Sequence, residues 1–186
     1  SGHTRLYMVA AANPLATNAG REILRAGGSA VDAAIAIQLV LNLVEPQSSG
    51  IGGGALMVHW EEAGRKLPTL DGRETAPAAA KPNRFIGTDG KPMKFMEAVI
   101  GGRSVGVPGT LKLLEGAHQR WGKLPWPDVV APALKVAEEG FAISPRLYGL
   151  LAGETDLPQN ALAASYFYYP ARKATTVRPT LNTPCS

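Results

Sequence analysis

Cysteine and histidine are scarce in this sequence. The one cysteine, Cys185, is the second-last of 186 residues, so no disulfide can form within the chain. The three histidines, His3, His59 and His118, are far apart and belong to no HExxH pattern. Because zinc sites need closely spaced Cys, His or carboxylate ligands, the sequence predicts no metal site.

Motifs for nucleotides and nucleic acids are also missing. The 19 basic and 15 acidic residues give a net charge of only +4, and no cluster of basic and aromatic residues indicates nucleic-acid binding. No GKS or GKT word forms a P-loop. A GxGxxA word at residues 50–55 follows a predicted helix and opens a predicted strand, the reverse of the dinucleotide-binding order. We therefore expect no cofactor and no nucleic-acid partner.

The sequence has no long apolar run. Its most apolar segment is a predicted helix at residues 30–44, and such a helix is too short to cross a membrane, which takes about 20 residues. Residues 1–6 lack the charged and apolar regions of a signal peptide. We therefore expect no membrane partner, and the start resembles that of a mature or engineered chain.

The sequence contains several signals for the starts of helices. Asn13-Pro14 places an N-cap before a proline at the first helical position, and Ser29 caps the apolar helix that follows. Further helices are predicted at residues 108–121, 125–139 and 144–151, and strands at residues 6–11, 55–60 and 67–71. Strands followed by several helices favour an α+β layered arrangement in a single domain.

The most informative stretch lies at residues 46–77. Its glycines at 50 and 52–54 allow another part of the chain to approach closely, and the hairpin that follows ends at Arg73. A glycine and a proline fix the turn around Arg73, whose planar guanidinium matches a carboxylate bidentately. Arg73 is therefore the candidate substrate-binding residue. The simpler interpretation is an ion pair with Asp71 or Glu74, which would contribute little.

Several long sequence motifs resemble those of a known protein family. They are ANPLAT at 12–17, GGSAVDAAIA at 27–36, VEPQSSGIGGGALM at 44–57, LDGRETAP at 70–77, GGRSVGVPGT at 101–110 and WPDVVAPALKVAEEGFAISPRL at 126–147. In this order and spacing they resemble the γ-glutamyltransferase family. The likeness covers residues 1–169, the front part of the family's large subunit, and leaves residues 170–186 as an irregular tail.

The resemblance implies an α+β fold, the αββα sandwich of N-terminal-nucleophile hydrolases, to which this chain would supply mainly helices and edge strands. Such enzymes are made as one precursor and cut into a large and a small subunit. The threonine that begins the small subunit attacks glutathione or a related γ-glutamyl amide to form an acyl-enzyme. Thr175 and Thr176 do not match that threonine's motif, so this chain would hold no catalytic residue, and its partner would be the small subunit.

Within the resemblance, Arg73 matches the arginine that holds the substrate's α-carboxylate. Two alternatives stay open: a cephalosporin (glutaryl) acylase, in which Arg73 would hold a glutaryl carboxylate, and a truncated, non-catalytic homologue that acts as an interaction module. Arg103 and Ser104 could also face a site, although a solvated arginine in a turn is the simpler interpretation. Since bacterial members are commonly exported, the resemblance implies a periplasmic or extracellular location.

Overall fold

The computed structural model describes residues 6–169 and 180–181. These residues are mixed α and β and mostly helical, as the sequence predicts. The helices are α1 (Pro14–Arg25), α2 (Ala30–Val44), α3 (Phe95–Val99), α4 (Thr110–Trp121), α5 (Trp126–Glu139), α6 (Pro145–Gly153) and α7 (Ala161–Phe167), and the strands are β1 (Ala55–Val58), β2 (Thr69–Gly72), β3 (Phe141–Ala142) and β4 (Thr180–Leu181). The chain divides into two compact units, one from residues 51–116 and one from the segments before and after it.

In the unit formed by the two outer segments, helix caps stand where the sequence predicts them. The Asn13 side chain accepts a 2.9 Å hydrogen bond from the Leu15 amide at the start of α1. Ser29 and Asp32 form a reciprocal capping box at the start of α2, with each backbone N–H donating to the other's side chain at 2.8 and 3.1 Å. Because these bonds satisfy amides that have no partner within the helix, they fix where α1 and α2 begin.

Helix α2 is the buried centre of this unit, which confirms the prediction from its apolar circumference. Its buried residues are Val31, Asp32, Ala33, Ile35, Ala36, Val40 and Val44. Val40 and Val44 belong to a core that also contains residues of α1, α5, α6, β3 and β4. Full burial of each such valine stabilises the fold by about 1.5 kcal/mol or more.

Two elements of this unit had no sequence signal. Helix α7 is capped by Asn160, whose side chain accepts from the Ala163 amide at 3.0 Å. In the other element, Phe141 of β3 pairs antiparallel with Leu181 of β4, and both side chains are buried. The predicted irregular tail at residues 170–186 otherwise lies outside the described residues.

The prediction of a strand at residues 6–11 was wrong. The backbone there forms no strand with any described part of the chain, and the side chains of Leu6 and Met8 are exposed. An apolar run of strand length specifies a strand only where a second strand satisfies its backbone N–H and C=O groups.

The unit at residues 51–116 contains the predicted hairpin. Strands β1 and β2 pair antiparallel, with Ala55 opposite Gly72 and Val58 opposite Thr69. Glu61 and Lys66 close the turn with two backbone hydrogen bonds of 2.9 and 3.1 Å. The hairpin thus delivers the chain to Arg73, as the sequence predicts.

Candidate functional site

Arg73 lies immediately after β2, with its side chain 67% exposed. Its backbone N–H donates to Asp71 Oδ1 at 2.9 Å, and its guanidinium NH1 lies 3.5 Å from Glu74 Oε2. The two neighbouring acids therefore have different roles: Asp71 fixes the backbone of the turn, whereas Glu74 restrains the guanidinium. Because the guanidinium is largely exposed and Glu74 Oε2 makes no hydrogen bond with the described residues, the pair contributes little to stability, and its effect is mainly on the direction of the side chain.

Glycines from two distant parts of the sequence close on Glu74. A Cβ atom on Gly54 would lie 2.9 Å from Glu74 Cδ and 2.9 Å from Arg73 Cα, and one on Gly106 would lie 2.8 Å from Glu74 Cβ. Real Cβ atoms essentially never approach other heavy atoms so closely. Both glycine clusters of the sequence are thus needed to let the chain pack against the turn that carries Arg73.

Backbone hydrogen bonds fasten the same turn. The amides of Gly109 and Thr110 both donate to the Gly53 carbonyl, at 3.0 and 3.1 Å, and Val107 N–H donates to the Thr75 carbonyl at 2.9 Å. A Cβ on Gly109 would overlap the carbonyl of Gly72. Because the backbone is held on both sides of this turn, the position of the Arg73 Cα atom is fixed.

A cavity of about 600 Å³ opens beside this turn. The charged side chains that line it are Arg73, Glu74, Lys81, Arg84 and Arg103. Four cations against one carboxylate give these walls a net formal charge of +3. A cavity lined by charges of one sign attracts ligands of the other sign, so the arrangement favours anionic ligands.

Arg103 and Ser104, the two further candidates from the sequence, both line this cavity. Arg103 is exposed, but it is not simply solvated, since its NH1 donates to the Arg84 carbonyl at 2.8 Å. The Ser104 hydroxyl donates to the Val99 carbonyl at 2.6 Å. Sequence reasoning missed Arg84, because its contact with Arg103 spans 19 residues and belongs to no local pattern.

A buried carboxylate lies in the other unit. Asp32 has no exposed surface, and its Oδ2 accepts from the amides of Lys123 and Leu124 at 2.9 and 3.3 Å. Burial alone would raise the pKa of Asp32, but the hydrogen bonds from Ser29, Lys123 and Leu124 outweigh it and lower the pKa. Every partner belongs to the chain's own architecture, so this carboxylate stabilises the fold.

His118 lies beside that carboxylate. Its Nε2 is 2.8 Å from the Leu124 carbonyl and 3.8 Å from Asp32 Oδ1. Within residues 6–169 and 180–181, no three His, Cys, Asp or Glu residues are grouped so that they could hold a metal ion, and no helix is long and apolar enough to cross a membrane. Thr175 and Thr176 lie outside the described residues.

Comparisons with known proteins agree with this architecture. The sequence profile described as Gamma-glutamyltranspeptidase matches residues 16–184. The glutathione hydrolase proenzyme of Bacillus subtilis strain 168 is 47% identical over 136 residues, which cover 73% of this chain and 23% of the relative. Glutathione hydrolase 3 of Arabidopsis thaliana is 40% identical over 140 residues, covering 75% of this chain and 21% of the relative.

Solved structures agree as well. The Helicobacter pylori gamma-glutamyltranspeptidase matches with a TM-score of 0.89 and 29% identity, over 98% of this chain and 52% of that one. A cephalosporin acylase from Bacillus halodurans matches with a TM-score of 0.71 and 29% identity, over 98% of this chain and 35% of that one. The fold is therefore of the N-terminal-nucleophile hydrolase class. The chain belongs to the gamma-glutamyltranspeptidase family. It spans about a quarter of the length of the curated relatives it matches.

Proposed function

We propose that this chain is part of a two-subunit γ-glutamyltransferase or hydrolase that cleaves glutathione and related γ-glutamyl amides. Residues 1–169 would form the front part of the large subunit, with residues 170–186 as its tail. The observation that carries the proposal is the exposed Arg73 guanidinium, held by a tightly packed turn at the edge of a positively charged cavity. Arg73 binds the α-carboxylate of the γ-glutamyl group.

The geometry suits that role. Glu74 is the one ionic partner of Arg73 among the described residues, and the Arg73 side chain is 67% exposed beside it, so the planar guanidinium can also face a ligand. Paired N–H groups bind a carboxylate through two charge-assisted hydrogen bonds, which fix its orientation as well as its position. Only two methylene groups separate the α-carbon from the scissile amide, so binding of the carboxylate limits how far the amide can lie from Arg73.

The chemistry is acyl transfer with a partner chain. The hydroxyl of the threonine that begins the small subunit adds to the γ-carbonyl carbon while that threonine's α-amine takes the hydroxyl proton. The amide C–N bond then breaks, and the leaving amine departs with the proton. Water or a second amine attacks the acyl-enzyme and releases the product. This chain contributes substrate binding, and the partner supplies the nucleophile.

Exposed apolar side chains on the hairpin support the need for a partner. Leu56, Val58 and Trp60 alternate along one side of β1 and its extension, and they are 68%, 66% and 50% exposed. A contiguous apolar face of this kind normally marks an interaction surface. The small subunit would cover it. The resemblance to exported family members supports a periplasmic or extracellular location.

A glutaryl-specific acylase is the second candidate, because the cephalosporin acylase structure matches over nearly the whole chain. Arg73 would then bind the terminal carboxylate of a glutaryl group. The two substrates differ by one α-amino group, so a matched pair of compounds separates the candidates. In both, the cation that holds the carboxylate is the same.

The test uses the complete, processed protein and two chromogenic amides, γ-glutamyl-4-nitroanilide and glutaryl-4-nitroanilide. We expect a higher kcat/KM on the γ-glutamyl compound. A preference for the glutaryl compound would favour the acylase instead, and failure to cleave either would contradict both candidates.

A further inference from the structure

Two arginines in the cavity beside Arg73 hold each other through backbone carbonyls. Arg84 donates from Nε to the Arg103 carbonyl at 2.6 Å and from NH2 to the Gly102 carbonyl at 3.4 Å. Arg103 NH1 donates back to the Arg84 carbonyl at 2.8 Å and lies 3.3 Å from Met93 Sδ. Each guanidinium is therefore positioned by the peptide segment that carries the other one.

These reciprocal hydrogen bonds, called here the Arg84–Arg103 clasp, leave the positive charge of both arginines uncompensated. Their partners are neutral carbonyls and a thioether, and within the described part of the chain no carboxylate lies at ion-pair distance from either guanidinium. Arg73 differs, since Glu74 already pairs with it. A cation that is ordered before a ligand arrives loses less conformational freedom on binding, so it binds an anion more favourably than a mobile lysine does.

Arg103 is better placed than Arg84 to meet a ligand. Its side chain donates from NH1 alone, whereas Arg84 donates from both Nε and NH2. Arg103 is also exposed, whereas Arg84 is half-buried. Arg103 therefore keeps free N–H groups that can face the cavity, and Arg84 acts as the residue that positions it.

Apolar side chains line the same cavity beside the charged groups. Phe85 and Val105 contribute to its walls and are 41% and 55% exposed. Such walls suit the methylene or ring portion of a ligand, whereas the cations suit its ends. The cavity thus combines cations with apolar surface, a lining that suits a compound with anionic groups and an apolar part.

We propose that Arg103 is a specificity-determining residue that binds a second carboxylate of the substrate, on the amine side of the scissile amide, while Arg73 binds the α-carboxylate. This inference rests on the proposed function and names the preferred substrate class: γ-glutamyl amides whose leaving amine carries a carboxylate. Arg84 positions Arg103 through its backbone carbonyl.

The experiment compares two substrates that differ by one carboxylate, γ-glutamyl-4-nitroanilide and γ-glutamyl-3-carboxy-4-nitroanilide, on the complete, processed protein. We expect the native protein to have the lower KM for the carboxylated compound. Arg103→Gln should raise that KM about 10-fold, the effect of losing one charged hydrogen-bond partner, and should change the KM of the compound without the ring carboxylate much less. Arg103→Lys keeps the charge and should retain part of the preference.

Lys112→Gln is the matched control, because it removes one positive charge from an exposed position of α4 outside the cavity. Its ratio of the two KM values should equal the native ratio. Melting temperatures of all variants show whether the Arg84–Arg103 clasp has only a bracing role. An Arg103→Gln variant that loses stability and changes both KM values equally overturns the proposal, as does an unchanged ratio.

A binding measurement separates this inference from the proposed function. If the native protein cleaves neither anilide, the proposed function fails, and calorimetric titration with γ-glutamylnorvaline and γ-glutamyl-n-butylamide decides about Arg103. These two compounds differ only by the carboxylate on the amine side. Binding of γ-glutamylnorvaline about 10-fold more tightly, with the difference abolished in Arg103→Gln, supports the second-carboxylate site. Equal binding of both compounds, or binding of neither, refutes it.

Discussion

The backbone amide of Gly109 donates a 3.0 Å hydrogen bond to the carbonyl of Gly53. This bond joins the two glycine clusters of the sequence, and the turn that carries Arg73 packs between them. The glycines therefore serve the position of an arginine rather than binding a phosphate. Variants of that turn and of the buried polar groups in the other unit are made in the complete, processed protein.

Gly54→Ala should impair substrate binding. The added Cβ would lie 2.9 Å from both Arg73 Cα and Glu74 Cδ, so the turn must shift, and overpacking of this kind costs about 1 to 3 kcal/mol. We expect a lower melting temperature and a raised KM for γ-glutamyl-4-nitroanilide. Gly52→Ala is the control, since a Cβ there meets nothing within 4 Å. Equal KM values for the two variants would contradict the tight packing at Gly54.

Arg73→Ala should raise KM for γ-glutamyl substrates. Truncating one partner of a charge-assisted carboxylate pair costs about 2 to 5 kcal/mol, and Arg73→Lys should recover only part of it because it lacks the planar fork. If the carboxylate is bound equally in the ground and transition states, kcat changes little. The measurement is steady-state kinetics on the parent substrate and on an analogue without the α-carboxylate. Similar losses on both compounds would count against Arg73 as the carboxylate-binding residue.

Asn13→Ala should destabilise the protein more than an ordinary cap mutation. Asn13 caps α1 through its side-chain oxygen, and its Nδ2 donates at 3.1 Å to Glu45, a carboxylate only 4% exposed. The loss of the cap costs about 1 kcal/mol, and one fewer partner for the buried carboxylate adds about 1 kcal/mol or more.

The matched control for Asn13 is Asn160→Ala, which removes the cap of α7 alone. Thermal or chemical unfolding of both variants provides the comparison. A loss at Asn13 no greater than the loss at Asn160 would mean that Glu45 is satisfied by Gln47 and Arg146, its further partners among the described residues.

Asp32 should make the free energy of unfolding decrease as the pH falls in the acid range. Its folded pKa is lowered: burial raises it, but the hydrogen bonds from Ser29, Lys123 and Leu124 prevail. A pKa lower in the folded than in the unfolded state means that the ionised carboxylate stabilises the fold above the unfolded pKa, about 4. This contribution is lost as pH falls from there through the folded pKa.

The corresponding variant is Asp32→Asn, which keeps the shape but loses the charge. We expect the free energy of unfolding at neutral pH to fall by about 2 kcal/mol, because hydrogen bonds to a charged group are lost, and the variant's stability to depend less on pH below about pH 4. Asp128→Asn, at an exposed first-turn position of α5, is the control. Parallel pH–stability curves for native protein and Asp32→Asn would show that Asp32 does not carry the acid dependence.

The sequence by itself determined the elements whose causes are local. Asn13, Ser29 and Ser144 mark helix starts because a cap bonds to an amide two or three residues away. The hairpin follows from two short runs of strand length on either side of a polar turn at residues 61–66. The six motifs between residues 12 and 147, in their order and spacing, were enough to predict the family. Whether Arg73 binds a substrate carboxylate stays a prediction.

Only the tertiary structure decided what depends on contacts between distant segments. The run at residues 6–11 has the composition of a strand but forms none within the described part of the chain, whereas Thr180–Leu181, with no strand signal, pairs with Phe141–Ala142. The Arg84–Arg103 clasp and the enclosure of Glu74 by Gly54 and Gly106 join residues far apart in the chain. Local patterns encode hydrogen bonds that close within a few residues, but a pairing or a close approach across tens of residues depends on which surfaces folding brings together.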